Sequence, residues 1–269
     1  MVSDAKNLHM QLSSLPVALC NVTGNPPILV GGIDPDLSGS APDAASPCHL
    51  MIRRQPQTFF IWSLFDHYPM PPEPILKQST RILYPSEYRA IRSHLTFKDQ
   101  LLLDGLLFSG MRGVEFARFL EHPDWYKASR HAIDLPKGSM LKKRAKQAER
   151  TVLLSNAGVQ AIETLISYRK QNPEDLRPIS RQSWSETLLR AARKAKDEGH
   201  LAGLKGIAPK MTRKTWSSWI LATHGHREGS VSLSMGHDIR TMLRHYAGLG
   251  WPPEARQEIK QYTAGWGGE

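Results

Sequence analysis

The chain has 269 residues, a mass of 30.2 kDa and a mean hydropathy of −0.40. Hydrophobic residues make up 40% and charged residues 22%, which is enough for a packed core. No apolar run approaches the roughly 20 residues a membrane helix needs, and the longest, Leu101 to Gly110, is interrupted by Asp104. The two cysteines, Cys20 and Cys48, have no cysteine or histidine near them at zinc spacing, which argues against a disulfide scaffold or a structural metal site. The start, MVSDAKNLHM, lacks the basic residues and apolar block of a secretory signal, so a cytoplasmic setting is expected. A net charge of +10 and a pI near 9.7 favour a polyanionic partner.

That charge is unevenly spread. Residues 1–80 hold four basic and six acidic residues, a net of −2. The remaining 189 residues hold 31 basic and 19 acidic residues, a net of +12. Proline divides the chain in the same way, with 11 of 19 in residues 1–80. The stretch Gly24 to Pro47 is rich in turn formers and poor in large apolar side chains. It offers too little burial to offset the entropy of ordering. Residues 1–80 therefore read as a largely disordered leader, with one short helix expected near 57–67 around Phe59 to Phe65.

From residue 81 a regular pattern begins, mainly helical with a small antiparallel hairpin. Pro85-Ser86-Glu87 marks a helix start, with proline early and an acid in the first turn. Helices are expected at about 86–94, 97–108 and 113–121. Two short alternating runs, His131 to Leu135 and Arg150 to Leu154, predict the strands of a hairpin. The basic loop LKKRAKQAER lies between them. Helices follow at about 156–171, 182–198, 212–224, 239–247 and 254–262, with Asn156 and Ser183 as expected N-caps.

Three segments carry chemistry. Ser109-Gly110-Met111-Arg112 presents an arginine after a glycine turn, with Glu115 three residues on. Lys210 and Arg213 share one helix face at i and i+3. Met235-Gly236-His237 precedes Tyr246 by nine residues, counted from the histidine. His224 and His226 have no cysteine nearby and read as a solvated turn, so no metal ligand set is expected.

Together these segments resemble the catalytic domain of the tyrosine recombinases, the phage-integrase family. That family carries a G-(L/M)-R-x-x-E box, an H/K-x-x-R box, and a G-H box with a tyrosine nine positions on. The resemblance covers residues 81–250 and implies the tyrosine recombinase catalytic fold. It implies catalytic roles for Arg112, Lys210, Arg213, His237 and Tyr246, with Glu115 in support. It also implies a lysine on the β-hairpin that protonates the leaving 5′-oxygen. Lys146 is the choice here, and Lys142, Lys143, Arg144 and Lys214 are expected to contact DNA. Lys210 stands where most members have histidine, as in archaeal and viral variants. A charged lysine can donate to the phosphate, but could accept the tyrosine proton only after losing its charge.

The implied chemistry suits these residue types. Two arginines clamp the non-bridging phosphate oxygens and stabilise the charge that builds in the transition state. Nearby cations favour the tyrosinate that attacks phosphorus. The covalent ester conserves the bond energy, so neither cofactor nor metal is expected. The expected partner is double-stranded DNA, bound by a homo-oligomer, a tetramer in this family, serving a mobile element or virus. Relatives place a helical clamp domain before the catalytic one, and residues 1–80 do not read as one. Two other readings stand beside this: a non-catalytic DNA-binding protein derived from an integrase, and a type IB topoisomerase. Tyr262 is a rival nucleophile on paper, but lies too far past the Gly-His box and reads as packing.

Overall fold

The structure is a computed structural model that describes residues 71–137, 149–176, 180–236, 238–246 and 248–268. The proline-rich leader up to residue 70 and its expected helix at 57–67 lie outside the described residues. The described chain is mainly helical, with two small antiparallel sheets.

The first sheet is a hairpin of β1 (Ile75–Lys77) and β2 (Thr80–Ile82), in which Lys77 faces Thr80. Its two-residue turn places Gln78 at φ 49° and Ser79 at φ 56°. Such tight hairpins usually advertise themselves with asparagine or glycine at these positions. Here neither residue is present, so the hairpin goes unseen in the sequence, and it straddles the expected boundary at residue 81.

Helices α1 (Pro85–Ser93), α2 (Phe97–Ser109) and α3 (Gly113–Glu121) follow. The second sheet comprises β3 (Tyr126–Lys127), β4 (Ala132–Leu135) and β5 (Arg150–Leu153), in the order β3-β4-β5. Ile133 faces Val152 and Leu135 faces Arg150. Then come α4 (Asn156–Gln171), α5 (Arg181–Asp197), α6 (Met211–His224), α7 (Glu228–Met235), α8 (Ile239–Tyr246) and α9 (Pro253–Thr263).

The expected helices form within a residue or two, because their ends are set by local capping. Two caps differ from expectation. Ser155 rather than Asn156 caps α4, accepting from the Gly158 N–H at 3.2 Å. Ser180 rather than Ser183 caps α5, accepting from the Ser183 N–H at 3.1 Å. In each case the hydroxyl must precede the helix to reach the N3 amide, and each is worth about 1 kcal/mol. Helix α7 was not expected. Its Gly- and Ser-rich sequence has no polar face to mark it, since Val231, Ser232, Ser234 and Met235 are all buried.

Helices α2 and α6 form the centre. Leu101, Leu102, Leu103, Leu106, Leu107 and Phe108 of α2 are all buried, so from Leu101 onward this helix is enclosed on every side, as a central helix must be. Its buried acid, Asp104, accepts from Tyr88 Oη at 2.7 Å and pairs with Arg92 at 2.9 Å. Trp216 and Trp219 of α6 are buried, and Tyr262 of α9 stacks on Phe108 at 5.6 Å and on Trp219 at 5.3 Å. The C-terminal helix thus packs on its own domain, and Tyr262 has the packing role expected of it. The hairpin is tied to α6 as well: the Leu83 N–H donates to Thr215 Oγ1 at 2.9 Å and Trp219 Nε1 donates to the Leu83 carbonyl at 3.0 Å.

Candidate active site

Two glycine turns bring the sequence boxes together. Gly110 ends α2 with φ +59°, and a Cβ there would lie 2.5 Å from Met235 Cε and 2.6 Å from Trp216 Cδ1. Gly236 ends α7, also at φ +59°, and a Cβ there would lie 2.8 Å from Arg150 Cδ. Both positions need the left-handed conformation and both lack room for a side chain. The first turn delivers Arg112 to the start of α3, and the second leads into His237.

Glu115 is the hub. Its side chain is fully buried. Oε2 accepts from the Arg112 backbone N–H at 2.8 Å, and Oε1 accepts from Arg112 Nη1 at 2.8 Å. Arg150 Nη2 donates to Oε2 at 2.6 Å, and Arg213 Nη1 lies 3.9 Å from the same oxygen. Burial pushes this carboxyl upward, but the Arg150 charge, the Arg112 N–H and the Arg213 and Arg112 charges together hold it below the usual carboxylate range. One carboxylate therefore gathers three guanidiniums, and the cluster keeps an excess of positive charge.

The arginines also grip backbone. Arg213 Nη1 donates to the Gly110 carbonyl at 2.7 Å and Nη2 to the Met235 carbonyl. Arg112 Nη2 reaches the Gly236 carbonyl at 3.4 Å. The first box, the second box and the turn before His237 are thus joined directly. Arg213 is 10% exposed and Arg112 is 35% exposed, so the positive charge reaches solvent mainly at Arg112. A cavity of about 420 Å³ opens beside them, lined by Met111, Arg112, Val114, Trp184, Lys210 and Arg213 among others. Lys210 is exposed at its rim, just before α6.

The other expected residues fall in different places. Tyr246 is the last residue of α8, which packs against α6 and α7; only its backbone position is described. His237 lies outside the described residues, between Gly236 and Asp238. Lys142, Lys143, Arg144 and Lys146 also lie outside them, between the ends of β4 and β5. Lys214 turns away to the first hairpin, where Nζ donates to the Lys77 carbonyl at 2.7 Å. Burial, and the charge of Lys210, lower its pKa from the ordinary lysine value. His224 is buried rather than solvated: its Nδ1 meets Thr223 Oγ1 at 2.8 Å and its ring lies 5.5 Å from that of Trp266. The C-terminal segment covers it, which no local signal announces. Among the described residues no group of three His, Cys, Asp or Glu side chains could hold a metal.

Arg150 is the member of this cluster that sequence reasoning missed. It reads as an ordinary strand residue, since its partners are 35 and 84 positions away.

Comparison with known proteins identifies the fold and the family. Two solved structures share the fold: the Tn1549 transposon integrase in complex with transposon right end DNA, and the same integrase in complex with circular intermediate DNA. The first is 17% identical, with a TM-score of 0.50 over 72% of this chain and 68% of that one. The second is 19% identical, with a TM-score of 0.51 over 71% of this chain and 68% of that one. No curated protein matches the sequence. The phage integrase family model matches residues 77–250, which begins within the first hairpin and ends beyond Tyr246. The chain belongs to the phage integrase family.

Proposed function

We propose that this chain is a site-specific DNA recombinase that cuts and rejoins DNA through a 3′-phosphotyrosine intermediate, in the service of a mobile element. The observation that carries this reading is the convergence of Arg112 and Arg213 on Glu115 and on the carbonyls of Met235 and Gly236. The two guanidiniums are pre-oriented by a buried carboxylate, with Arg112 partly open to an incoming anion.

In the proposed reaction Arg112 and Arg213 bind the non-bridging oxygens of the scissile phosphate. Lys210 and His237 add hydrogen bonds. The Tyr246 hydroxyl, deprotonated in this cationic field, attacks phosphorus and forms the ester to the 3′ end. The phosphorus–O5′ bond breaks, and Lys146 on the hairpin gives the leaving oxygen its proton. Reversal by a different 5′-hydroxyl completes strand exchange. The clamp matters because it binds the extra transition-state charge without reorganising at the moment of reaction. Lys142, Lys143 and Arg144 contact the DNA backbone, and a homotetramer on DNA brings two duplexes together.

A covalent-trapping assay tests the reading. Wild type and Tyr246→Phe are incubated with nicked duplexes tiled from the DNA flanking the gene, then resolved on denaturing gels. A slow band from wild type alone is expected. Salt-sensitive binding by both proteins with no band from either would instead establish the non-catalytic DNA-binding reading. Relaxation of any supercoiled plasmid without sequence preference would establish a type IB topoisomerase.

A further inference from the structure

Arg150 begins β5, at the returning end of the hairpin, yet its side chain is only 7% exposed. It donates from Nη2 to Glu115 and from Nη1 to the Ser234 carbonyl near the end of α7. Its buried Nε has no hydrogen-bond partner among the described residues. Its Cδ and Nε form the floor beneath Gly236, where a Cβ would approach them at 2.8 and 2.9 Å. A second bond, from the Leu153 N–H to Ser234 Oγ at 3.0 Å, fastens the same strand to the same helix.

We infer that Arg150 is a positioning residue for the phosphate clamp, holding Glu115 and the turn at Gly236 in register with each other. This rests on the recombinase reading proposed above. Arg150 is too enclosed to meet a phosphate itself, so it acts through the groups it holds. Glu115 orients Arg112 from one side, and the turn at Met235 and Gly236 receives Arg213 and Arg112 from the other. Arg150 also bonds both sides, and unlike Arg112 it does so from an enclosed position. Its guanidinium fork spans a carboxylate and a carbonyl at once, which the single nitrogen of lysine does less well.

Stability alone is a poor reason to keep it. Burial and the Arg112 charge both act against its positive form, with Glu115 opposing them. Enclosing a third cation around one carboxylate costs desolvation that an apolar side chain would avoid. The cation is better explained by what it orients.

The test uses the full chain and the nicked duplex that traps wild type, made once with a normal scissile phosphate and once with a methylphosphonate there. The methylphosphonate carries no charge at that phosphorus, so it relieves the need for a well-placed clamp. Arg150→Met should trap about 100-fold more slowly than wild type on the phosphate, with DNA binding within about threefold. Its deficit should shrink to less than about tenfold on the methylphosphonate. Arg150→Lys should recover part of the loss. Trapping by Arg150→Met at the wild-type rate overturns the inference. So does an equal deficit on both substrates, or inactivity on both, which would mark a merely structural residue. Rescue by a 5′-bridging phosphorothiolate instead, whose leaving group needs no proton, would place Arg150 behind the hairpin acid and also overturn it. Wild type that traps nothing removes the recombinase reading itself, a failure distinct from these.

Discussion

Two buried carboxylates in this molecule are built in opposite ways. Glu87, at the start of α1, pairs with Arg81 of β2, and both side chains are fully enclosed. Arg81 also donates to the Gly203 carbonyl at 2.6 Å, and Glu87 accepts from the Tyr84 N–H at 3.2 Å. Charge is balanced there, one against one, and nothing faces solvent. Glu115 is equally buried but holds three arginines, one of them more than a third exposed. The first arrangement closes on itself and ties the hairpin to the helical core. The second carries an excess of positive charge and is partly open, which suits the anion-binding role proposed for it. Balance and exposure, more than burial, separate the structural ion pair from the proposed binding site.

The largest expected effect comes from opening the Glu115 cluster. Arg112→Ala and Arg213→Ala should each lower covalent trapping by about 10²–10³-fold, while DNA affinity falls far less. Near-normal trapping in either variant would contradict the assignment. Next, Glu87→Ala leaves Arg81 buried and unpaired, which should cost about 3–5 kcal/mol of stability in urea unfolding. Whatever protein remains folded should trap at the wild-type rate, because Glu87 lies outside the cluster. A loss of trapping in the folded fraction would show that the two carboxylates are coupled. The smallest effect is expected at Lys214. Since its ammonium is engaged by the Lys77 carbonyl, Lys214→Ala should cost about 1 kcal/mol of stability. The slope of log affinity against log salt should change by less than about 0.5. A change near 1 would mean that Lys214 releases the hairpin and contacts DNA after all.

Much of the fold was legible in the sequence wherever the signal is local. Helix α3 begins and ends where expected, because Gly113 follows the turn and the apolar spacing of Phe116, Phe119 and Leu120 persists to its end. Strands β4 and β5 were visible in their alternation. The first hairpin was hidden by a turn of Gln78 and Ser79 and by strands of three residues each, too short for any period to show. Helix α7 was hidden because burial on several sides erased its amphipathic pattern. His224 was misread because its cover comes from Trp266, 42 positions on.

The site divides along the same line. By itself the sequence determined the order and spacing of the boxes, and it placed Arg112 and Glu115 close together, because the residue before a helix and the glutamate three positions on meet at the helix start. Tertiary structure alone decided that Glu115 also takes Arg150 and Arg213, that Arg112 and Arg213 meet the carbonyls of Gly236 and Met235, and that Lys214 is turned away from them. A side chain's chemistry and its nearest neighbours are written locally. The partners that fix its orientation are brought by chain folding from 35 to more than 120 residues away, and no local pattern encodes them.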